Sequence, residues 1–445
     1  MEKNAKAILT SGKVENVLIK LTIPMIFGML GMIIFNLVDT YFVGQLGTNQ
    51  LAALTFTFPV ILVITSLAQG LGMGVSSVIA RAIGEGNHHK VQRLATDSLI
   101  LSVLLVIVFV VIGLLTIEPV FELLGVDAQT MPYVKEYMRI WYLGVIFVVV
   151  PMVGNNAIRA LGDTKTPGYV MMIAAGINVI LDPLLILGIG PFPRMEVAGA
   201  ALATVIARAL TLIVALYILI KREKIVIIES AKLKDIISSW KKILYIGLPN
   251  ALTKMINPIA TGIITSLVAS YGVEAVAGYG VAVRLERFAL LLVGALSTIM
   301  APFIGQNYGA GKKDRVKLSI TLSEKFSIIS SLVIFVILVI IAKPVAGLFN
   351  QDTSVIRITT LYLWIVPLGY GLQGILLISS SVLNALNKPL HASVLTIIHM
   401  FALYVPFALL GSYLFEITGI FGGLALSYII AGIISHYVVK KTLNT

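Results

Sequence analysis

The chain has 445 residues, of which 58% are hydrophobic and only 12% are charged. A soluble protein needs about twice that charged fraction to cover its surface, so the composition excludes an ordinary soluble domain. The net charge of +12 does not indicate nucleic-acid binding, because the basic residues lie in short loops between apolar runs, where membrane topology accounts for them. We therefore expect an integral membrane protein that contacts the lipid bilayer and no nucleic acid.

The apolar runs predict the transmembrane helices. Each run is about 20 residues long, enough to cross about 30 Å of hydrocarbon as a helix, and the alternation typical of a membrane barrel is absent. The first run has no small-residue cleavage site after it, so it reads as a retained span and not as a signal peptide. The runs predict about twelve helices, at 20–44, 51–80, 96–117, 137–160, 168–190, 197–220, 242–270, 276–304, 318–342, 360–386, 390–413 and 417–439.

The loops between these helices alternate in charge, which predicts the orientation. By the positive-inside rule the basic loops and both termini face the cytoplasm, so we expect a multi-pass protein of the cytoplasmic (inner) membrane. The basic set contains Arg81, Lys90, Arg93, Arg159, Lys165, Lys312, Lys313, Arg315, Lys317 and Lys388.

The two halves of the chain repeat each other at an offset of 225 residues, and prolines, glycines and basic loops stay in step. The offset slips to 222 at a short loop, where GDTKTP faces NKP. Pro24 matches Pro249, and Leu143-Gly144 matches Leu368-Gly369. We predict an all-α membrane protein of two pseudo-symmetric six-helix bundles, 1–220 and 242–445. The basic segment 221–241 between them is a cytoplasmic linker, either a solvated joint or a binder of anionic lipid headgroups.

Two acids lie inside apolar runs, where an ionisable residue is costly and is by default a functional candidate. The helix lengths place Asp39 of the first span, Asp182 of the fifth and Thr204 of the sixth in the outer half of the N-terminal bundle. Asn178 precedes Asp182 by four residues, so both side chains share one helical face. Pro24 is a bending point early in the first span. The structural alternative is that Asp39 caps a helix and Asp182 is a satisfied kink residue.

Burial raises the pKa of a carboxylic acid, and a second acid nearby raises it further, so such a pair can load and release a proton near neutral pH. The same carboxylate, amide and hydroxyl oxygens could instead hold sodium. The second half has no equivalent acids, because Ile264 and Tyr404 occupy the positions that match Asp39 and Asp182.

The second half carries charges of its own. Lys254 lies in its first span, and Arg284, Glu286 and Arg287 lie in the next. We expect the last three to pair locally and to help position helices, with a substrate or gating role as the alternative.

In order and spacing, several segments resemble the multidrug and toxic compound extrusion (MATE) transporters over nearly the whole chain. They are a proline and an acid separated by fourteen residues in the first span, YFVGQLGTNQLAAL, GLGMGVSSVIARAIGEGN, RALGDTKTP, and NVILDPLLI followed by GAALATVIAR. The acids in the first and fifth spans resemble the DinF-like branch, in which Pro24, Asp39, Asn178, Asp182 and Thr204 match the ion-coupling site. That branch favours a tyrosine where this chain has Phe35.

The resemblance implies two six-helix lobes in a V around a cavity and the export of lipophilic, often cationic compounds against inward proton or sodium flow. Protonation of Asp39 or Asp182 would let the first span bend at Pro24 and shrink the cargo cavity of the N-terminal half, so that proton and cargo favour different states. The residues that suit a cargo site are generic ones: Asn36, Asn155, Met172, Met255 and Gln373.

The partners expected are small-molecule drugs or toxins. We expect no cofactor, and H+ or Na+ is the coupling ion. We expect a monomer. We also expect no enzyme activity, because the five histidines are not spaced as metal ligands. No nucleotide-binding loop is present, so ATP is not the direct energy source. The alternative function is a lipid-linked oligosaccharide flippase of the same superfamily, for which Lys254 and Arg284 would supply a cationic cavity.

Overall fold

The computed structural model describes residues 7–227 and 232–444, and within them every long element is a helix. Proline lies inside eight of these helices without ending them, which is common where neighbouring helices satisfy the freed backbone groups. The helices are α1 (Val14–Gly44), α2 (Thr48–Gly84), α3 (His88–Leu123), α4 (Met131–Gly144), α5 (Ile146–Ala160), α6 (Lys165–Ile186), α7 (Glu196–Tyr217), α8 (Leu233–Ala269), α9 (Val273–Ala289), α10 (Leu291–Gly309), α11 (Lys313–Phe349), α12 (Thr353–Ile365), α13 (Tyr370–Ala385), α14 (Pro389–Ile397) and α15 (Val405–Asn444).

Twelve membrane-spanning segments account for these helices in the described parts of the chain. Nine helices or helix runs are long and apolar enough to cross a membrane, and the pairs α4–α5 and α9–α10, bent by 41° and 49°, each form one more. The last run, Pro389–Asn444, is interrupted by non-helical backbone at Phe415 and Glu416 and therefore contains two spans. The predicted all-α architecture and the number of spans are confirmed.

The two halves repeat their irregularities as well as their helices. α2 begins at Thr48 and ends at Gly84, and the pair α9–α10 begins and ends 225 residues later. The fourth span breaks after Gly144, and its counterpart contains a 3-10 turn that ends at Gly369. A side chain at Gly144 would meet Val205, and one at Gly369 would meet the carbonyl of Ala425, so both glycines allow a neighbouring helix to approach closely.

The chain divides into two compact units, and two helices, α1 and α8, are each split between them. The first contains residues 7–9 and Ile23–Ala251, and the second contains Thr10–Thr22 and residues 252–444. The start of α1 therefore belongs to the second unit, and the start of α8 belongs to the first.

Glycines explain why the start of α8 packs within the first unit. A Cβ atom at Gly70 of α2 would lie 2.4 Å from the carbonyl oxygen of Gly247. One turn later, a Cβ atom at Gly74 would lie 2.4 Å from the carbonyl oxygen of Ile243. Only glycine permits this backbone contact, and two consecutive turns of α2 make it.

Basic residues of the second unit hold the segment before α1. The Arg315 guanidinium donates to the carbonyl of Gly12 at 2.6 Å and to the carbonyl of Ser11 at 3.2 Å, while its Nε donates to the Asn307 amide oxygen at 2.8 Å. The Lys312 ammonium donates to the carbonyl of Thr10 at 2.9 Å. This basic loop, which the sequence explained by topology alone, therefore also anchors the entry to the first span.

The predicted linker 221–241 is shorter than expected, because α8 already begins at Leu233. Its first part packs on α3: Gln92 donates to the carbonyl of Lys224 at 3.0 Å, and the Ile227 amide donates to the Thr96 hydroxyl at 3.0 Å. Residues 228–231 lie outside the described chain.

Candidate functional site

Both acids predicted to bind the coupling ion lie inside helices of the first unit. Asp39 is five residues before the end of α1, so it does not cap that helix. Asp182 is four residues before the end of α6 and is completely buried. These positions argue against the structural alternative for Asp39.

The acids belong to a small group of buried polar atoms. The Asn178 amide donates to Asp182 Oδ1 at 3.1 Å, as the four-residue spacing predicts. Asp39 Oδ1, Asn178 Oδ1 and Asp182 Oδ2 are buried and accept no hydrogen bond from the described residues. The two carboxylates are close enough to interact electrostatically. Because all three free atoms are acceptors, a proton or a cation would satisfy the group.

Tyr137 of α4 also belongs to this group, and the sequence analysis did not identify it as a site residue. Its phenol is buried and lies near both Asp39 and Asp182. The sequence could not place this hydroxyl among the coupling acids, because α4 is far from α1 and α6 in sequence. No local spacing links Tyr137 to either acid.

Close packing of α1 on α6 sets the level at which the acids meet. A Cβ atom at Gly168 would lie 2.5 Å from the carbonyl oxygen of Pro24, and one at Gly28 would lie 3.0 Å from the Cα of Gly168. Asp39 and Asp182 each lie about 22 Å further along their helices at 1.5 Å per residue. The two helices run in the same direction, so the glycine contact brings the acids to one height.

The loop before α6 is fixed by Asp163, which lies outside the membrane-spanning segments. Its carboxylate accepts the Thr166 amide at 3.0 Å and pairs with the Arg222 guanidinium. Burial alone would raise the pKa of Asp163, but the hydrogen bonds from Thr166 and Arg222 and the charge of Arg222 hold it below its usual value. This ionised carboxylate anchors the start of the helix that carries Asp182.

Thr204 is half-buried on α7, which packs against α6, but its hydroxyl makes no hydrogen bond to either acid in the described chain. One turn along α7, the Arg208 guanidinium carbon lies 5.6 Å from the centre of the Phe35 ring on α1. Phe35 is one turn before Asp39, and the first and sixth spans run in opposite directions. The Phe35–Arg208 contact therefore puts Thr204 near the level of Asp39.

The residues predicted for a cargo site are divided between the two units. In the first unit, Asn36 and Met172 are exposed and Asn155 is buried. In the second unit, Met255 is half-buried, and Gln373 lies beside Glu286. None of these five residues contacts the acid group through a side-chain hydrogen bond in the described chain.

Local pairing of Arg284, Glu286 and Arg287 was predicted wrongly. Both arginines are exposed and form no ion pair with Glu286 in the described chain, because adjacent helix residues point in different directions. Glu286 is buried and accepts hydrogen bonds from the hydroxyls of Tyr362, on α12, and Tyr428, on α15, the latter at 3.2 Å. It joins three helices and so keeps the predicted positioning role.

We expect Glu286→Leu to destabilise the second unit, because both tyrosine hydroxyls would lose their acceptor in a buried site. Each lost partner costs about 1–3 kcal/mol, so the melting temperature in detergent should fall by several degrees. Glu286→Gln keeps an acceptor oxygen and should be milder. The matched control is Arg287→Gln, an exposed neighbour. Equal melting temperatures for Glu286→Leu and the control would contradict this role.

Comparisons with known proteins agree with this architecture. The family model described as MatE matches residues 24–184 and again 249–410, and the two matches begin 225 residues apart, the offset at which the halves repeat. A protein of Shewanella oneidensis named FAD transporter is 38% identical over 97% of this chain and 96% of its own. The multidrug export protein MepA of Staphylococcus haemolyticus is 25% identical over 95% of this chain and 92% of its own. The crystal structure of the Vibrio cholerae MATE transporter VcmN in the bent form has a TM-score of 0.91 and 31% identity, covering 97% of both chains.

Proposed function

This chain belongs to the MATE family of membrane transporters, and from that premise we propose that it is a secondary active exporter of organic compounds driven by antiport with protons. The coupling site is the group formed by Asp39, Asn178 and Asp182, with Thr204 at the same level. Sodium is the alternative coupling ion at the same oxygens.

The observation that supports this proposal is the set of buried acceptor oxygens without donors on Asp39, Asn178 and Asp182. Leaving such atoms unsatisfied is costly, and a proton on one carboxylate would supply the missing donor. Protonation also removes a charge from the membrane interior, which would favour a different arrangement of α1 around Pro24. Antiport follows if cargo and proton favour different arrangements.

Two classes of cargo are candidates. Lipophilic and often cationic compounds fit the family resemblance and the relatives named MepA. A flavin dinucleotide is favoured by a specific observation: the relative named FAD transporter is 38% identical over nearly the whole chain, against 25% for MepA. The flippase reading would need a cationic cavity, and its two candidate residues, Lys254 and Arg284, are both exposed.

The test uses the whole chain in liposomes preloaded with FAD or with ethidium, a fluorescent planar cation. An imposed inward proton gradient is expected to accelerate the exit of at least one of them, and its collapse with an ionophore should stop the acceleration. A sodium gradient without a proton gradient serves as the comparison. Transport that follows sodium alone would overturn proton coupling, and no exit of either cargo from liposomes with folded protein would overturn the exporter reading.

A further inference from the structure

Arg208 is a permanent charge inside a membrane span that the proposed coupling reaction does not use. It lies about 18 Å from the start of α7 at 1.5 Å per residue, near the middle of the span. It forms no ion pair or hydrogen bond in the described chain, and its one described contact is the face of the Phe35 ring. An intramembrane arginine without a carboxylate partner is costly, so it is expected to have a function.

Arg208 lies on the side of α7 opposite to the most exposed residues of that helix. Ile206 and Ile213 are 42% and 65% exposed and mark the outer face of the helix. At about 100° per residue, Arg208 lies about 160° around the helix from Ile206, next to the buried Ala207. The guanidinium thus faces α1, on the side of the unit that carries Asp39.

Phe35 fixes the guanidinium without neutralising it. A cation held against an aromatic face keeps its charge and its N–H donors, and the ring restricts the side chain to one region. A guanidinium in this state can bind a phosphate or carboxylate by two parallel hydrogen bonds. The chain places such a group one helical turn from the level of the coupling acids.

We propose that Arg208, held by Phe35, is the anion-binding residue of the cargo site in the N-terminal half, and that it selects organic anions, such as a flavin dinucleotide. This inference rests on the proposed exporter function and specifies its cargo. The opposite charges also have separate roles: Asp39 and Asp182 carry the coupling cation, and Arg208 binds the anionic part of the cargo.

The test compares three planar ligands that differ in charge: FAD is anionic, riboflavin has the same ring without phosphate, and ethidium is cationic. Binding is measured by fluorescence on the purified whole chain, and export is measured separately in liposomes. Arg208→Gln is expected to weaken FAD binding by about ten- to a hundredfold, the range for hydrogen bonds to a charged group, and to leave riboflavin binding within about twofold. Ethidium binding should be unchanged or tighter.

Two further variants separate charge from geometry. Arg208→Lys keeps the charge but loses the planar fork, so it should bind FAD with an affinity between those of the native chain and Arg208→Gln. The matched control is Arg139→Gln, which removes one positive charge from an exposed site in the same unit and should bind all three ligands as the native chain does.

Selective loss of FAD supports the proposal. Unchanged FAD binding in Arg208→Gln overturns it, and so does a parallel loss of all three ligands, which would make Arg208 a structural residue. Because binding is measured without a gradient, a failure of proton-driven export would overturn the exporter function and leave the test of the anion site intact.

Discussion

Asp182→Asn is expected to remove nearly all stimulation of export by a proton gradient while cargo binding persists. Asparagine has nearly the same shape and still accepts from Asn178, but it cannot take up or release a proton. Such coupling between two ligands is typically worth about 5- to 150-fold, and the variant should lose all of it. The measurement is the rate of cargo exit from proteoliposomes with and without the gradient, together with cargo affinity at equilibrium.

Asp39→Asn should behave in the same way, because the two carboxylates form one interacting group. The matched control is Glu118→Gln, an acid of α3 in the same unit that is 58% exposed and pairs with Lys135. It should export cargo at the native rate. Full proton-driven export by both asparagine variants would show that the proton is carried elsewhere. Sodium-driven export that survives both substitutions would direct attention to the second unit.

The sequence predicted those features of the fold that depend on local pattern. Hydrophobic runs gave the spans because the bilayer requires about 20 apolar residues for each crossing helix. The repeat was visible because its prolines and glycines determine where helices bend and approach, as at Gly144 and Gly369. The hydrogen bond between Asn178 and Asp182 followed from their four-residue spacing. Each of these properties is set within one helix or by a constant offset.

Contacts between helices distant in sequence could not be predicted in this way. Nothing near Glu286 indicates that Tyr362 and Tyr428 will donate to it from α12 and α15. Tyr137 reaches the acids for the same reason, because helix packing and not spacing brings α4 to them. Arg208 is a different case: it lies within a predicted span, and the rule that singled out Asp39 and Asp182 applies to it equally.

Gly168→Ala is the substitution for which we expect a large effect from a single methyl group. The new Cβ would lie 2.5 Å from the carbonyl oxygen of Pro24, closer than real Cβ contacts allow, so α1 and α6 must separate locally. Such overpacking typically costs about 1–3 kcal/mol. Gly176→Ala on the same helix is the matched control, because its Cβ meets no atom within 4 Å. It should be neutral or should stabilise the helix by up to about 1 kcal/mol.

The functional effect of Gly168→Ala should exceed its effect on stability. Pro24 is the proposed bending point of α1, and the contact at Gly168 sets the level at which Asp39 and Asp182 meet. Spreading the helices there changes the distance between the carboxylates and blocks close return of α1 after bending, so proton-driven export should fall well below that of Gly176→Ala. Melting temperature and export are measured on both variants. Native export by Gly168→Ala would mean that α1 does not rely on close contact with α6 during transport. The proposal that α1 bends at Pro24 would then be wrong.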